Sequence, residues 1–199
     1  MKILLIRFSS IGDIVLTSPV IRCIKEQVAN AEIHIITKKQ FAFIFQNNPS
    51  VTKVYGIDKK VSEVLSSLKE EKYDHIIDLH NNLRSMRVKL ALDVPATSFK
   101  KLTLKKLQAV RLKINRLPEV HIVERYLETA NELGVKNDGK GLEYFIPVAD
   151  EVKIETLPTM HQSGYIAFVI GAKYFTKRLP IEKIISICKK INSPIVLLG

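Results

Sequence analysis

The 199-residue chain has no tryptophan, only two cysteines, and far fewer acidic than basic residues. The thiols, Cys23 and Cys188, each sit among apolar residues in segments of helical periodicity. Two isolated thiols make neither a disulfide framework nor a metal site, and they suit a reducing cytoplasm. Long apolar runs are missing as well. The opening run, Ile3 to Ile6, stops at Arg7, too soon for a secretory signal. No run approaches the roughly 18 apolar residues of a membrane span, so any membrane contact is expected to be peripheral. The pattern Gly-x-Gly-x-x-Gly does not occur, which argues against a dinucleotide cofactor. With 46% hydrophobic and 26% charged residues, the chain is neither collagen-like nor disordered.

What is abundant is positive charge: 31 basic against 20 acidic residues leave +11. A protein this basic meets something anionic, whether nucleic acid, nucleotide, phosphorylated sugar or acidic membrane. Ten cations lie between Arg84 and Arg116, with Asp93 the sole acid among them. No stacking aromatics interleave with these cations, so nucleic acid is not expected. A dock for a phosphorylated, acidic glycolipid or a lipid surface fits. A solubilising helix face, with Lys101 and Lys105 opposite a Leu104/Leu107 stripe, fits too.

Strand and helix patterns alternate along the chain. Continuous β-favouring runs occur at Ile3–Ile6, Ile33–Ile36, Val51–Ile57, His75–Leu79 and Ala96–Phe99. Helical stripes lie between and after them, among them Ile14/Ile21/Ile24/Val28 and Val120/Val123/Leu127/Ala130. This is the rhythm of an α/β, doubly wound parallel sheet. Residues 1–135 are expected to form a complete Rossmann-like domain. Residues 136–163 are glycine- and proline-punctuated and read as a linker. Residues 164–199 open a second such domain with a single strand–helix–strand unit, which cannot cover its own sheet.

Two strand-to-helix loops carry candidate chemistry, since open α/β sheets bind ligands at the carboxyl ends of their strands. Ser9-Ser10-Ile11-Gly12-Asp13 follows the first strand. Backbone N–H groups there favour an anion, and the helix dipole keeps a carboxylate ionised. Asp13 could accept a proton from a sugar hydroxyl or hold that hydroxyl. It also fits the third helical position of a capping box opened by Ser10. The second loop, Gly171 to Pro180, sets Lys173, Thr176, Lys177 and Arg178 before a helix start, which suits phosphate oxygens. A solvated basic loop fits that loop equally well. His80, Asn81 and Arg84 follow the fourth strand, either as sugar contacts or as an Asn-rich turn. His121 opens the helix at 120–134, a place more often structural than catalytic.

Taken together, these motifs resemble the heptosyltransferase family, the ADP-heptose:lipopolysaccharide enzymes of glycosyltransferase family 9. The resemblance is carried by Ile3 to Pro19, by Tyr73-Asp74-His75-Ile76-Ile77-Asp78-Leu79-His80, by His121-Ile122-Val123-Glu124-Arg125-Tyr126, and by Thr176-Lys177-Arg178-Leu179-Pro180. Leu179 stands where the family usually has Trp, and the hydroxyls some members carry near Ala172-Lys173 are missing here. The resemblance implies a GT-B fold. It implies an inverting transfer of a heptose or related sugar from an ADP-sugar to a lipopolysaccharide-core-type acceptor. Asp13 matches the general base. Lys177, with Thr176 and Arg178, matches the donor-diphosphate contacts. Ser9, Ser10, Gly12, Asn81, Arg84 and His121 match acceptor contacts. No Asp-x-Asp occurs, in line with a reaction that needs no metal, and the only cofactor-like partner is the donor itself. Family members are longer, so the expectation is either a fragment that binds donor poorly and could be inactive alone, or a chain whose missing half a partner supplies. The competing reading is a non-catalytic binding module for an anionic glycolipid.

Overall fold

A computed structural model describes every residue of the chain except Lys173. It divides into two compact units, Met1–Ile146 and Pro147–Gly199. The stretch read as a linker is split between them. Residues up to 146 are tied to the first unit by Arg22, which holds Asp138, Glu143 and the Gly141 carbonyl.

The first unit is built on five parallel strands: β1 (Lys2–Ile6), β2 (Glu32–Lys38), β3 (Lys53–Ile57), β4 (His75–Asp78) and β5 (Ala96–Ser98), in the order β3-β2-β1-β4-β5. Side chains alternate across a strand, so each apolar run feeds two cores. Ile3 and Leu5 face one core with Ile33, Ile35 and Ile77, while Leu4 and Ile6 face the other with Ile36, Tyr55 and Ile76. The first face is covered by α2 (Ser18–Gln27) and α6 (Ile122–Leu127). Helix α2 carries Pro19 in its first turn and buries Val20, Ile21, Cys23 and Ile24. The second face is covered by α3 (Leu65–Glu70) and α4 (Leu83–Leu92), through Leu68 and Val88.

Some helical stretches are tighter than their spacing suggests. Lys39–Ile44, Val61–Glu63 and Glu128–Leu133 are 3-10 turns. The last ends at Gly134, whose φ of +75° is the left-handed stop that glycine adopts without strain. The short α1 (Ile11–Val15) follows β1, and α5 (Thr103–Arg111) follows β5. Helix α5 departs from expectation. The stripe of Leu104 and Leu107 points to solvent, with Leu104 77% exposed, and the helix buries no residue.

In register, Ile6, Ile36 and Asp78 end side by side. The carboxyl edge of the sheet therefore gathers Arg7, Phe8, Leu79 and His80 beside the α1 loop. The second unit holds α7 (Thr159–Gln162), β6 (Ile166–Val169), α8 (Ile181–Cys188) and β7 (Ile195–Leu198). Strands β6 and β7 pair in parallel from Ile166↔Ile195 to Val169↔Leu198. Among the described residues, no helix is long and apolar enough to cross a membrane.

Candidate functional site

Asp13 sits in the first turn of α1, after a cis Ser9–Ser10 peptide. Its Oδ2 accepts from the Ser10 hydroxyl (3.0 Å) and from the Ser10 backbone N–H (3.3 Å), which is the reciprocal half of a capping box. The same oxygen pairs with Arg7 Nη2 at 2.7 Å. Arg7 is buried. Its other branch donates to the Leu79 carbonyl, and its guanidinium lies 5.5 Å from the Tyr126 ring. One residue after β1, it therefore joins the ends of two strands and α6 to the carboxylate. Burial alone would raise the Asp13 carboxyl, but the Arg7 charge and the Ser10 hydrogen bonds outweigh it and hold the group below its ordinary value. Asp13 is ionised at neutral pH, with 40% of its side chain open to solvent.

The carboxylate lines a cleft of about 270 Å³. Arg7, Lys101, Lys106, Arg125 and Tyr126 share its walls. Arg125 is fixed by donating to the Lys100 carbonyl at 2.7 Å and by lying over Phe99 at 4.8 Å. A larger hollow of about 420 Å³ also touches Arg125, but Glu128 and Glu132 among its walls match an anion poorly.

The loop after β4 is built around Asp78, which is fully buried. Its Oδ1 accepts the N–H groups of His80 (3.0 Å) and Asn81 (2.7 Å), and its Oδ2 meets Lys89 Nζ at 3.1 Å. His80 stacks edge-on against Phe8 at 5.0 Å. Burial, helped by Arg7 and Lys101, pushes its imidazole down to about 4, so it is neutral at pH 7.

Of the acceptor candidates, Ser10 acts on the cleft through Asp13. A Cβ added at Gly12 would meet nothing within 4 Å, so the backbone there is open. Asn81 spends its side-chain amide on the Phe99 carbonyl at 2.8 Å. Arg84 lies over the Phe8 ring at 5.5 Å. His121 is exposed and caps α6, its Nδ1 accepting the Val123 N–H at 3.3 Å. Ser9, Asn81, Arg84 and His121 are not among the cleft walls. The sequence reading missed Arg7 and Arg125, and counted Lys101 and Lys106 only as bulk charge. The available signals were the cation ending β1 and the Arg125 embedded in the His121–Tyr126 motif.

In the second unit, Lys177 closes a 3-10 turn, Phe175–Lys177, before α8. Its Nζ lies 5.9 Å from the Tyr174 ring. Arg178 donates from Nε to the Ala172 carbonyl at 2.7 Å, and Thr176 is exposed. Pro180 caps α8. The loop begins at Gly171, where an added Cβ would come within 2.9 Å of Gly199 Cα, so only glycine fits without a shift. Lys173 lies outside the described residues.

Among the described residues, one trio of ligand-type side chains converges: Glu32, His34 and Glu71. It lies at the amino edge of the sheet, away from Asp13. Lys2 and Lys53 each reach Glu71 at 2.7 Å, and Tyr55 donates to it at 2.6 Å. Two ammonium groups already balance these carboxylates, so the trio reads as a network closing that edge.

Comparison with known proteins agrees with this architecture. A glycosyl transferase family 9 structure from Veillonella parvula superposes with a TM-score of 0.75 at 20% identity, over all of this chain and 62% of that one. Escherichia coli heptosyltransferase WaaC, solved with ADP, gives 0.69 at 20% identity, over 99% and 66%. The fold is thus that of the GT-B glycosyltransferases, with the first Rossmann-like unit whole and the second represented by β6-α8-β7. Lipopolysaccharide heptosyltransferase 1 of Campylobacter coli is 27% identical over 96% of this chain. The chain spans 60% of that relative's length. The family model for glycosyltransferase family 9 (heptosyltransferase) matches residues 61–199, and the chain belongs to that family.

Proposed function

We propose that the chain is the acceptor-side part of an inverting, metal-independent glycosyltransferase. It would move a heptose or related sugar from an ADP-sugar to a lipopolysaccharide-core-type acceptor in the cytoplasm. The observation that carries this reading is an ionised Asp13, oriented by Arg7 and Ser10, in a cleft whose other charged walls are all cationic.

In this reading the Asp13 carboxylate takes the proton of an acceptor hydroxyl as that oxygen bonds to the anomeric carbon. The bond from that carbon to the diphosphate breaks on the opposite face, and ADP leaves with the electron pair. A carboxylate held below its ordinary value is a weak base toward a free alcohol. It serves here because the hydroxyl sheds its proton while the new bond forms. Lys101, Lys106 and Arg125 hold acidic groups of the acceptor by charge-assisted hydrogen bonds. Ser9, Ser10 and Gly12 present Asp13, while Arg84 and His121 remain acceptor contacts. Asn81 is reassigned to the loop, because Phe99 uses its amide. Lys177, with Thr176 and Arg178, meets the donor diphosphate and offsets the charge that develops there. Positive side chains then do what a divalent cation does elsewhere.

The test is mass-spectrometric detection of sugar transfer from ADP-heptose to a Kdo–lipid A-type acceptor. Both this chain and the longest version its gene encodes would be assayed. Addition of one heptose supports the reading. Salt-sensitive acceptor binding without transfer in either form supports the binding-module alternative.

A further inference from the structure

Three tyrosines are buried in the first unit: Tyr55, Tyr73 and Tyr126. A phenol enclosed by protein usually finds a hydrogen-bond partner, because leaving water without one costs free energy. Tyr55 donates to Glu71 at 2.6 Å, and the Tyr73 hydroxyl meets His34 Nδ1 at 2.9 Å. Tyr126 is the most enclosed of the three, at 1% exposed, yet its hydroxyl bonds to nothing among the described residues. That hydroxyl is not sealed off, and Tyr126 is a wall of the Asp13 cleft. The charged groups that act on the phenol, Arg7, Asp13 and Arg125, are all walls of the same cleft.

Local structure fixes the ring. Ile122, Arg125 and Tyr126 fall at i, i+3 and i+4 of α6, so one face of the helix supplies all three to the cleft. The Tyr126 ring meets Phe99 edge-on at 4.9 Å, and the Arg7 guanidinium that holds Asp13 lies 5.5 Å from it. The Thr129 hydroxyl donates to the Tyr126 carbonyl at 2.6 Å. Burial pushes the phenol above its ordinary value, so it keeps its proton at neutral pH. Phenylalanine would fill the same space, so the hydroxyl has no use in the fold.

We propose that the Tyr126 hydroxyl is an acceptor contact, bonding a sugar hydroxyl beside the one whose proton Asp13 takes. The cleft divides its work by chemistry. Lys101, Lys106 and Arg125 carry full charges that suit acidic groups. A neutral phenol both donates and accepts, as a sugar hydroxyl does. Carried on a clamped ring beside Arg7, it fixes which edge of a polyhydroxylated ring turns toward Asp13. This inference rests on the transferase reading and adds to it a residue that decides acceptor fit.

Tyr126→Phe deletes the oxygen and keeps the ring. Thermal unfolding of the full chain tests first whether the hydroxyl is free. A Tm within about 2 °C of the parent, or above it, is expected. A larger fall would show that the hydroxyl serves the fold, and would overturn the proposal. Steady-state transfer from ADP-heptose to the Kdo–lipid A-type acceptor, in the longest version the gene encodes, tests the contact. The kcat/KM for the acceptor should fall about tenfold, with the donor KM within about twofold of the parent. Parent-like kinetics, or both substrates affected alike, would overturn the proposal and leave the transferase reading standing. If the parent transfers no sugar, that reading falls by itself, and equilibrium binding of the same acceptor to the full chain decides. Binding about tenfold weaker in Tyr126→Phe supports the contact. Equal binding, or none by either form, overturns it.

Discussion

Replacing Arg22 with methionine removes one guanidinium that holds three partners. Arg22 donates from Nε and Nη2 to Asp138 (2.7 and 2.8 Å), from Nη1 to Glu143 (3.0 Å), and from Nη2 to the Gly141 carbonyl (2.9 Å). The side chains of Arg22 and Asp138 are 8% and 11% exposed, and that of Glu143 is 21% exposed. Removing one partner from a buried ion pair costs about 3–5 kcal/mol, because the remaining charge is stranded. Water reaches Glu143, so about 2–4 kcal/mol is expected here. For a unit of this size that lowers Tm by about 4–16 °C. The assay is thermal unfolding of the full chain at pH 7, with Asp138→Asn and the double variant closing the cycle. A coupling of about 1 kcal/mol or more is expected between the two sites. The sign with pH is also fixed. Hydrogen bonds from Arg22 hold the Asp138 carboxyl well below the usual range. Stability from the pair is therefore present above the unfolded carboxyl value, near 4, and is lost as pH falls below it. The gap between parent and variant should narrow in acid. A Tm change under about 2 °C, or a gap that does not shrink, would refute the claim that Arg22 secures residues 136–146.

Three further outcomes are expected. Arg7→Met frees Asp13 from its cationic partner, so transfer should fall about 10- to 100-fold and the acid limb of its pH profile should move up; a limb that stays put refutes a positioning role for Arg7. Burial keeps the His34, His75 and His80 imidazoles below their ordinary value. The unfolded chain thus binds more protons below about pH 6.5, and stability should decline from there toward pH 4. For His80 the full shift would be worth about 3 kcal/mol, reduced to about 1–2 kcal/mol by the ring's partial exposure. A chemical-denaturation series flat between pH 7 and 4.5 would contradict this. Lys177→Ala, in the longest version the gene encodes, should raise KM for the ADP-sugar about tenfold or more without changing the melting curve, and an unchanged KM would remove Lys177 from the donor site.

The sheet was legible because its strands are apolar on both faces, so runs such as Ile3–Ile6 and Ile33–Ile36 stand out without neighbours. The short helices were less so, since 3-10 and α turns share spacings close enough that Phe41, Phe43 and Ile44 fit either. Helix α5 was misleading. Its Leu104/Leu107 stripe carries the signature of a buried face, and orientation depends on tertiary packing that the pattern does not encode. Asp13 was legible from its place after β1 and from the family motif. Arg7 was not, because a single arginine at a strand end says nothing about where its long side chain turns. Its reach to Leu79 and Tyr126 depends on residues more than 70 positions away in sequence.

The central claim is that Asp13 accepts the proton of the acceptor hydroxyl. The most direct measurement compares wild type and Asp13→Asn, in the longest version of the protein, for single-turnover sugar transfer and for acceptor binding. Asparagine keeps the shape and a capping oxygen but cannot take the proton. The account predicts a fall in transfer of about 100-fold or more, with acceptor affinity changed by less than about tenfold. Transfer retained at near wild-type rate would show that Asp13 only caps its helix, and the assignment of the base would fall.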